Sequence, residues 1–284
     1  MSLDEREQHE VARARHLLKA ASVWDVDGDL QALVDRFLER SNKARALDEF
    51  KLAVSERCNR IPLGHIVGAA EFDQMPLVIG SGVFIPRQHS TIIHTWLDKQ
   101  QLDEGSRVLD LCAGSGAIGL AIAQRRPDLA VTCVEFDDVA AHYLKRNIAR
   151  MACKGIRADA LQADIRDTSV FAPFTGQVAL IVANPPYVPL GLELLPEWSS
   201  HHPQASVYSG ADGLELIRHI VELAVAVLVP GGWLIIEHGV DQASAVCQLF
   251  QQHSFTQVEV IIDPAASDTT GIAVMTVGRL RDDC

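Results

Sequence analysis

From about residue 105 onward, the chain alternates short apolar runs with segments of helical periodicity. The apolar runs predict strands at 107–110, 130–135, 160–163, 178–183, 232–237, 256–262 and 272–277. Helices fit between them at 118–126, 137–151, 212–229 and 241–252. In this order each helix returns the chain to the same end of the sheet, so successive strands run parallel. The pattern predicts an α/β fold with a seven-stranded, mostly parallel sheet that helices cover on both faces.

The N-terminal part of the chain has a different pattern. Apolar residues recur there at helical spacing: Val11, Ala14, Leu17, Leu18 and Ala21, then Leu30, Leu33, Val34 and Leu38. Glycines, prolines and short apolar segments follow and predict a β-hairpin linker. Ser90 and Thr91 then precede an apolar run, which predicts the capped start of a helix. We therefore predict a helical domain at 1–60, a hairpin linker at 61–90 and the α/β domain at 91–284.

Charge and cysteine content narrow the class of protein. The formal net charge of −12 argues against a protein that binds nucleic acid directly. The six cysteines are scattered without a Cys-x-x-Cys pair, which predicts a reducing cytoplasm and no metal site. No apolar run approaches the ~18 residues of a membrane span. We therefore expect a globular cytoplasmic protein whose partner is not a membrane.

The run Asn184-Pro185-Pro186-Tyr187 directly follows the predicted strand at 178–183. Its two prolines remove two backbone donors and end the strand in a rigid corner, at the edge where α/β sheets bind ligands. The Asn184 side-chain oxygen and the Pro185 carbonyl can together accept both hydrogens of a planar –NH2 group. Tyr187 can stack on that plane. The alternative is an ordinary strand-to-loop turn, which a cofactor loop upstream would disfavour.

A glycine-rich stretch lies between the first predicted strand and its helix. It reads Asp110-Leu-Cys-Ala-Gly114-Ser-Gly116-Ala-Ile-Gly119. Glycines let the backbone approach a ligand closely, and the helix N-terminus favours electron-rich groups. Because Gly-x-Gly-x-x-Gly is also the dinucleotide fingerprint, the stretch by itself leaves the type of cofactor open.

Acidic residues near this stretch bear on that choice. Asp110 would repel a pyrophosphate but would tolerate a cationic amino acid, and Glu135 could accept hydrogen bonds from ribose hydroxyls. Asp164 could accept from an adenine amino group. The alternatives are a loop cap for Asp110 and a turn residue for Asp164, and we interpret Asp137 and Asp138 as helix N-cap charges.

These motifs resemble class I S-adenosylmethionine-dependent methyltransferases that act on amino groups. Further segments are similar to the release-factor glutamine methyltransferases, the HemK/PrmC family. Those segments are Pro62-Leu-Gly-His-Ile-Val-Gly, Phe72, Phe84-Ile-Pro-Arg87, Ala211-Asp-Gly-Leu and Pro230-Gly-Gly-Trp-Leu-Ile-Ile-Glu-His-Gly-Val-Asp-Gln. The resemblance covers nearly the whole chain and implies a Rossmann-like catalytic domain.

The resemblance also implies a reaction and roles for residues. S-adenosylmethionine would methylate the Gly-Gly-Gln glutamine of class 1 peptide-chain release factors on its side-chain nitrogen and leave as S-adenosylhomocysteine. The implied catalytic residues are Asn184, Pro185 and Tyr187. Those implied for the cofactor are Asp110, Gly114, Gly116, Glu135, Asp164 and Asn184. Those implied for the substrate are Asn184, Pro185, Pro186, Tyr187 and Arg87.

The chain departs from the family pattern in the segments that would face the substrate. The family motif Pro-Arg-Pro-Glu-Thr-Glu becomes Pro86-Arg-Gln-His89-Ser-Thr91, a later Glu-Pro becomes His202-Pro, and an Asp…Arg pattern becomes Asp263-Pro-Ala-Ala-Ser-Asp-Thr-Thr. Either the substrate differs, or the sequence has drifted around an unchanged glutamine pocket. We interpret His89, His201 and His202 as solvated surface residues rather than new polar contacts. Cys112, where many relatives have glycine, is a small substitution that the loop should accept.

Three other functions remain open on these residues. The first is N-methylation of another protein, a small metabolite or a nucleic-acid adenine, of which the acidic charge disfavours the last. The second is a non-catalytic binding protein, against which the intact Asn184 and Tyr187 argue. The third is an NAD-dependent dehydrogenase, which would need the glycine-rich stretch to hold pyrophosphate.

Overall fold

The computed structural model describes residues 3–39, 43–268 and 271–282. The α-helices in these ranges are α1 (Glu5–Ala20), α2 (Val26–Phe37), α3 (Lys43–Cys58), α4 (Leu63–Val67), α5 (Thr91–Leu97), α6 (Ala117–Arg125), α7 (Asp138–Ala152), α8 (Pro196–Ser199), α9 (Glu215–Val227) and α10 (Ala243–Gln252). The strands are β1 (Ala69–Phe72), β2 (Met75–Val78), β3 (Arg107–Leu111), β4 (Ala130–Glu135), β5 (Asp159–Gln162), β6 (Val178–Ala183), β7 (Leu228–Glu237), β8 (Phe255–Asp268) and β9 (Gly271–Leu280). In the described parts of the chain, no helix is both long and apolar enough to cross a membrane.

Seven strands form one sheet in the order β5-β4-β3-β6-β7-β9-β8. Strands β3 to β7 pair in parallel, and β9 runs antiparallel to both β7 and β8. The predicted seven-stranded α/β fold is therefore confirmed. Strand β8 is longer than the predicted 256–262, because its backbone pairing with β9 continues past the apolar residues. Helix α9 is shorter than the predicted 212–229, because Gly213 has a φ of +76° and therefore cannot lie within a helix.

The direction of chain progression reverses between β3 and β6, at the middle of the sheet. After β3 the chain builds outward through β4 and β5, and it then returns to place β6 on the other side of β3. The register pairs Leu111 with Ala183, so the loops after β3 and β6 start side by side. Such a reversal opens a crevice at the carboxyl ends of the strands, where α/β folds bind ligands.

The region between the N-terminal helices and α5 differs in part from the sequence prediction. The predicted hairpin is present as β1 and β2, but Leu63–Val67 forms the short helix α4, which is too short to show periodicity. Ser90 does not cap α5 with its side chain, so that prediction was wrong. Ser90 lies in a 3₁₀ turn, where its φ of −68° and ψ of −6° are helical rather than extended, and its hydroxyl donates elsewhere.

The structure divides into two compact units. The first contains the N-terminal helices through Ala69, together with Ile79–Ser81 and Leu194–His202, and the remaining segments form the second. Helices α1 to α3 bury an apolar cluster of their own, which includes Leu18, Leu33 and Phe50. The division of the chain at residues 60 and 90 stays a prediction.

Helix α8 is held within the first unit by two arginines. The Arg60 guanidinium donates to both carboxylate oxygens of Glu197 at 2.6 Å. Arg57 donates to Glu197 Oε1 at 3.0 Å and to Asp29 Oδ2 at 2.6 Å. Because bidentate, charge-assisted bonds of this kind fix geometry, Leu194–His202 is anchored to α3 although about 140 residues separate them in sequence.

His202 is buried, so its interpretation as a solvated residue was wrong. Its ring stacks on Trp198 with centroids 4.9 Å apart, and its Nδ1 lies 2.8 Å from the Glu197 carbonyl. Burial lowers the pKa of His202 to about 4, so the ring is neutral at pH 7. His201 also has a contact, because its Nε2 lies 3.1 Å from the Asn59 carbonyl. The replacement of a family glutamate by His202 therefore adds no charge to the surface.

Asn147 in α7 connects the β1–β2 hairpin with the loop after β3, all within the second unit. Its Oδ1 accepts from the Val78 N–H at 2.8 Å. Its Nδ2 donates to the Val78 and Ser115 carbonyls at 2.9 and 3.0 Å. The side chain is completely buried.

We expect Asn147→Ala to lower the free energy of unfolding by about 3 kcal/mol, because three backbone groups lose their partners in a buried place. Urea unfolding followed by circular dichroism measures this difference. Arg146→Ala, an exposed change on the same helix, is the control and should stay within about 0.5 kcal/mol of the parent. A similar stability for both variants would contradict this role of Asn147.

Candidate active site

The loop after β3, residues 112–116, is called the glycine loop below. An added Cβ at Gly114 would meet no atom within 4 Å, so the backbone faces open space there. An added Cβ at Gly119 would lie 2.4 Å from Cys133 Sγ and 2.9 Å from Asp110 Oδ2. Glycine at 119 therefore lets α6 approach the sheet closely, and glycine at 114 leaves room for a ligand against the backbone.

Asp110 lies in β3 beneath the glycine loop and is 1% exposed. Its Oδ2 accepts from the Gly119 N–H at 2.8 Å, so this oxygen ties α6 to the strand. Its Oδ1 is buried and has no hydrogen-bond partner among the described residues. Burial raises the pKa of Asp110 to about 7, and the nearby Glu135 charge adds to that increase. A positively charged ligand here would reduce the cost of ionising this carboxyl group.

Glu135 ends β4 and braces the glycine loop. Its Oε2 accepts from the Gly114 N–H at 2.7 Å, and its Oε1 accepts from the Asp137 N–H at 2.8 Å. The side chain is partly buried, and burial raises its pKa. Asp137 caps α7 by accepting from Val139 and Ala140, as predicted. Hydrogen bonds therefore join the glycine loop to the end of β4. The Glu135 carboxylate keeps lone pairs that can accept further hydrogen bonds.

Asp164 follows β5 at the same edge of the sheet. Its carboxylate accepts from the Arg166 guanidinium at 2.7 to 3.0 Å, and this hydrogen bonding lowers its pKa. Burial, together with the charges of Glu135, Asp110 and Asp164, raises the pKa of Cys112 well above its usual value. The three predicted acidic residues are therefore close enough to act on one thiol.

Two residues near Glu135 add detail that the sequence prediction lacked. Phe136 is 57% exposed, and the Arg166 guanidinium lies 5.8 Å from its ring centroid. An exposed aromatic residue directly after an acidic strand end is a signal that sequence reasoning could have used. Cys112 has a φ of +59°, which glycine adopts without strain, so the loop accepts this cysteine at an energetic cost.

Asn184 is the first residue after β6, and a side chain from another segment orients it. Its Nδ2 donates to the Ser90 hydroxyl at 3.1 Å. Ser90 in turn donates to Glu237 Oε2 at 2.5 Å. Pro185 is buried and Pro186 is partly buried, which keeps the corner rigid. The Asn184 amide is thus held by its nitrogen, and its oxygen accepts no hydrogen bond from the described residues.

Tyr187 completes this loop and is fixed through its backbone. Gln242 Nε2 donates to the Tyr187 carbonyl at 2.8 Å and to the Asp212 carbonyl at 3.1 Å. Burial raises the pKa of the Tyr187 phenol to about 12, and the Glu237 charge acts in the same direction. An added Cβ at Gly213 would lie 2.1 Å from the Tyr187 carbonyl oxygen. Gln242 and Gly213 were noted in the sequence only as matching segments, and the structure places both against the Asn184–Tyr187 loop.

Arg87 contacts the histidine that replaces a family glutamate. Its Nη2 lies 3.3 Å from His89 Nε2, and His89 is 3% exposed, so the interpretation of His89 as a solvated residue was wrong. Because a guanidinium can only donate, Nε2 accepts, and the ring holds a single proton on Nδ1. The Arg87 charge lowers the pKa of both Tyr187 and Glu237. Arg87 is therefore close to the predicted substrate loop, with a neutral acceptor beside it.

Thr91 is another position where the chain departs from the family motif. Thr91 Oγ1 donates to the Gln88 carbonyl at 2.7 Å and so stabilises the start of α5. Thr269 and Thr270, in the altered C-terminal segment, lie outside the described residues. No group of histidine, cysteine and acidic side chains in the described ranges could hold a metal ion.

The crevice therefore combines two kinds of binding element on adjacent strands. Open backbone and carboxylates after β3 and β4 suit a ribose and a cationic amino acid. An oriented amide, a rigid carbonyl and an aromatic ring after β6 suit an acceptor with an –NH2 group. Together these elements can align a nitrogen with an electrophile held over the glycine loop.

Comparisons with known proteins agree with this arrangement. The model of the methyltransferase small domain family matches residues 80–191. The release factor glutamine methyltransferase of Mycolicibacterium smegmatis is 38% identical over 227 residues, which cover 80% of this chain and 77% of that protein. The enzyme of the same name from Corynebacterium glutamicum is 37% identical over 217 residues, which cover 75% and 76%.

A solved structure supports the fold. The catalytic domain of hMettl16, in complex with MAT2A 3′UTR hairpin 6, superposes with a TM-score of 0.54 and 13% identity. The superposition covers 83% of this chain and 82% of that one. At this level of identity the likeness concerns the fold alone.

Proposed function

This chain belongs to the release factor glutamine methyltransferase family, and we propose that it methylates the Gly-Gly-Gln glutamine of class 1 release factors on the side-chain nitrogen. The observation that carries the proposal is the oriented Asn184 amide beside the glycine loop. A glutamine side chain ends in a planar –NH2 group, which matches the acceptors that Asn184 and Pro185 provide.

The residues present fit S-adenosylmethionine as the methyl donor. The open backbone at Gly114 leaves room for its amino acid part, and Asp110 Oδ1, which has no partner among the described residues, favours the positive charge nearby. Gly116 is packed against Leu144 and Leu120, so it would shape the loop rather than leave space for the ligand. Glu135 would accept from the ribose hydroxyls, and Asp164 from the adenine amino group. When bound, this cofactor supplies a methyl group on a positively charged sulfur.

The Asn184–Tyr187 loop would make the amide nitrogen reactive by positioning it. Asn184 Oδ1 and the Pro185 carbonyl would accept its two hydrogens, and Tyr187 would pack on its plane, so that the lone pair turns out of conjugation. A carbon–nitrogen bond forms as the carbon–sulfur bond breaks, and the nitrogen then releases one proton to water. No strong base is needed, because alignment alone can contribute about 7–11 kcal/mol.

The altered substrate segments are compatible with an unchanged acceptor. His89 contacts Arg87, and His202 packs on Trp198, so both side chains are used within the protein. Neither adds a new charged group that would select another substrate. This favours sequence drift around a glutamine pocket over a different acceptor.

Transfer of a labelled methyl group tests the proposal. The protein is incubated with methyl-labelled S-adenosylmethionine and a class 1 release factor from the same organism, beside a copy with alanine in place of the Gly-Gly-Gln glutamine. We expect label on the first protein and none on the second. Equal labelling of both, or none on either while S-adenosylhomocysteine binds, would refute the proposed acceptor.

Glu135 gives a separate prediction for cofactor binding. We expect Glu135→Ala to weaken binding of S-adenosylhomocysteine about 30-fold, because a charge-assisted hydrogen bond contributes about 1.5–3 kcal/mol. Isothermal titration calorimetry measures this affinity. Glu104→Ala, an exposed acidic residue before β3, is the control and should bind normally. An unchanged affinity in Glu135→Ala would show that this carboxylate does not hold the cofactor.

A further inference from the structure

Glu237 is a buried carboxylate to which the proposed reaction gives no role. It ends β7, next to β6, and the register pairs Ile236 with Ala183. Glu237 therefore lies beside Asn184, where the two strands end. Its side chain is 3% exposed. A buried charge costs free energy unless it is paired or hydrogen-bonded.

Ser90 connects the two side chains. Asn184 Nδ2 lies 3.1 Å from Ser90 Oγ, and Ser90 Oγ lies 2.5 Å from Glu237 Oε2. The serine is itself 2% exposed, so water does not compete for its hydroxyl group. The three residues lie far apart in the sequence, all within the second unit, and form one chain of hydrogen bonds that is buried at Ser90 and Glu237.

When Glu237 is ionised, the chemistry of this chain fixes its direction. An ionised carboxylate can only accept, so the single hydroxyl proton of Ser90 goes to Glu237. The Ser90 oxygen must then accept, and only the nitrogen end of the Asn184 amide can donate to it. The amide is nearly symmetric in shape, so packing alone does not choose between its two orientations.

We propose that Ser90 and Glu237 are positioning residues, which turn the Asn184 amide so that its oxygen faces the methyl acceptor. This inference rests on the proposed function and specifies how the site selects its substrate class. In the opposite orientation Asn184 would present N–H to an –NH2 group, and two donors would face each other. The site would then favour a carbonyl oxygen and exclude the nitrogen that is to be methylated.

Several groups set the charge of Glu237. Burial raises its pKa to about 7, while the Ser90 hydroxyl and the Arg87 charge oppose that increase. The Tyr187 phenol, in the Asn184–Tyr187 loop, is close enough for the Glu237 charge to raise its pKa, and His89 Nε2 lies 3.3 Å from Arg87 Nη2. Its neighbour His238 is engaged with Thr276 Oγ1 at 2.7 Å and with the Gly239 carbonyl at 2.9 Å. If Glu237 were protonated, its carboxyl group could donate to Ser90. The direction of both hydrogen bonds, Glu237–Ser90 and Ser90–Asn184, would then be reversed.

Kinetics of four variants test the proposal. We expect Ser90→Ala to lower kcat about 30-fold, with the KM for the release factor and the affinity for S-adenosylhomocysteine within about threefold of the parent. Ser90→Thr keeps the hydroxyl group and should recover most of the activity. Glu237→Gln, whose amide can support either direction, should lower kcat less than Ser90→Ala. The double variant should be no slower than Ser90→Ala, because both changes break one chain.

The pH profile separates positioning from a merely structural role. In the parent, kcat should fall as the pH is lowered through about 7, because Glu237 takes up a proton. This decrease should be absent in both Ser90→Ala and Glu237→Gln. An unchanged kcat in Ser90→Ala, additive losses in the double variant, or the same pH profile in all variants would overturn the proposal.

An NMR measurement keeps this proposal distinct from the proposed function. If the parent methylates no release factor, the acceptor assignment fails, and the Asn184 side-chain NH2 signals then test the orientation alone. In ¹⁵N-labelled protein these signals should shift with the titration of Glu237 in the parent and stay constant in Ser90→Ala. If the Asn184 NH2 signals of the parent do not shift with pH, the proposed orientation is wrong.

Discussion

Asn184→Ala is expected to lower kcat for methyl transfer to the release factor by about 10²–10³-fold, the usual loss when one pre-oriented polar group is removed from a reacting centre. The variant loses the oxygen that we propose accepts an amide hydrogen, so the nitrogen lone pair would no longer be held toward the methyl group. Binding of S-adenosylhomocysteine should change little, since Asn184 is only one of the six residues implied for the cofactor and the others, among them Gly114 and Glu135, stay in place. Single-turnover transfer and calorimetry measure the two effects separately.

A matched control for this change is available on the surface. Asn59→Ala removes the same side chain from an exposed position in the first unit, and it should keep full activity. The kcat of Ser90→Ala should fall less than that of Asn184→Ala, because Ser90→Ala disturbs the orientation of the amide without removing it. Retention of more than about a tenth of the parent kcat by Asn184→Ala would contradict the central role of this residue.

The parts of the molecule that could be predicted from the sequence depend on local patterns. A strand buried on both faces, such as 178–183, is a continuous apolar run, and proline ends it at a definite residue. The glycine loop and Glu135 belong to one strand–loop–helix–strand unit, so their proximity follows from a short stretch of chain. The Asp137 cap is also local, and it was predicted correctly.

The residues that sequence reasoning missed act across long separations. Ser90 and Glu237 are 147 positions apart, and nothing in the sequence gives the register of β7 against β6. The sequence pattern predicts only that Glu237 is the polar end of an apolar strand and that Ser90 is a helix cap. His202 was taken as solvated, but its ring centroid lies 5.2 Å from that of His65, which is distant in the sequence. In each case tertiary contacts, rather than composition, determine the role.

Gly213 offers the most direct test of whether the position of the Asn184–Tyr187 loop determines the rate. An added Cβ would lie 2.1 Å from the Tyr187 carbonyl oxygen and 2.6 Å from Gln242 Nε2. Backbone atoms cannot tolerate such distances, so the loop would have to move outward by roughly 1 Å, a displacement that can cost about 10²-fold in rate. Gln242 would also lose its hold on Tyr187, because the same Cβ occupies its place.

We therefore expect Gly213→Ala to lower kcat by about 100-fold while the affinity for S-adenosylhomocysteine stays nearly unchanged. The control is Gly105→Ala, which has a similar φ of +79° against +76° and no atom within 4 Å of the added Cβ. Both variants should lose about 1–2 kcal/mol of stability from the left-handed backbone, but only Gly213→Ala should lose activity. Equal kcat values in these two variants would show that the contact between Gly213 and Tyr187 does not set the reactive geometry. A slow Gly213→Ala beside an active Gly105→Ala would instead attribute the loss to displacement of the loop, since backbone strain is common to both.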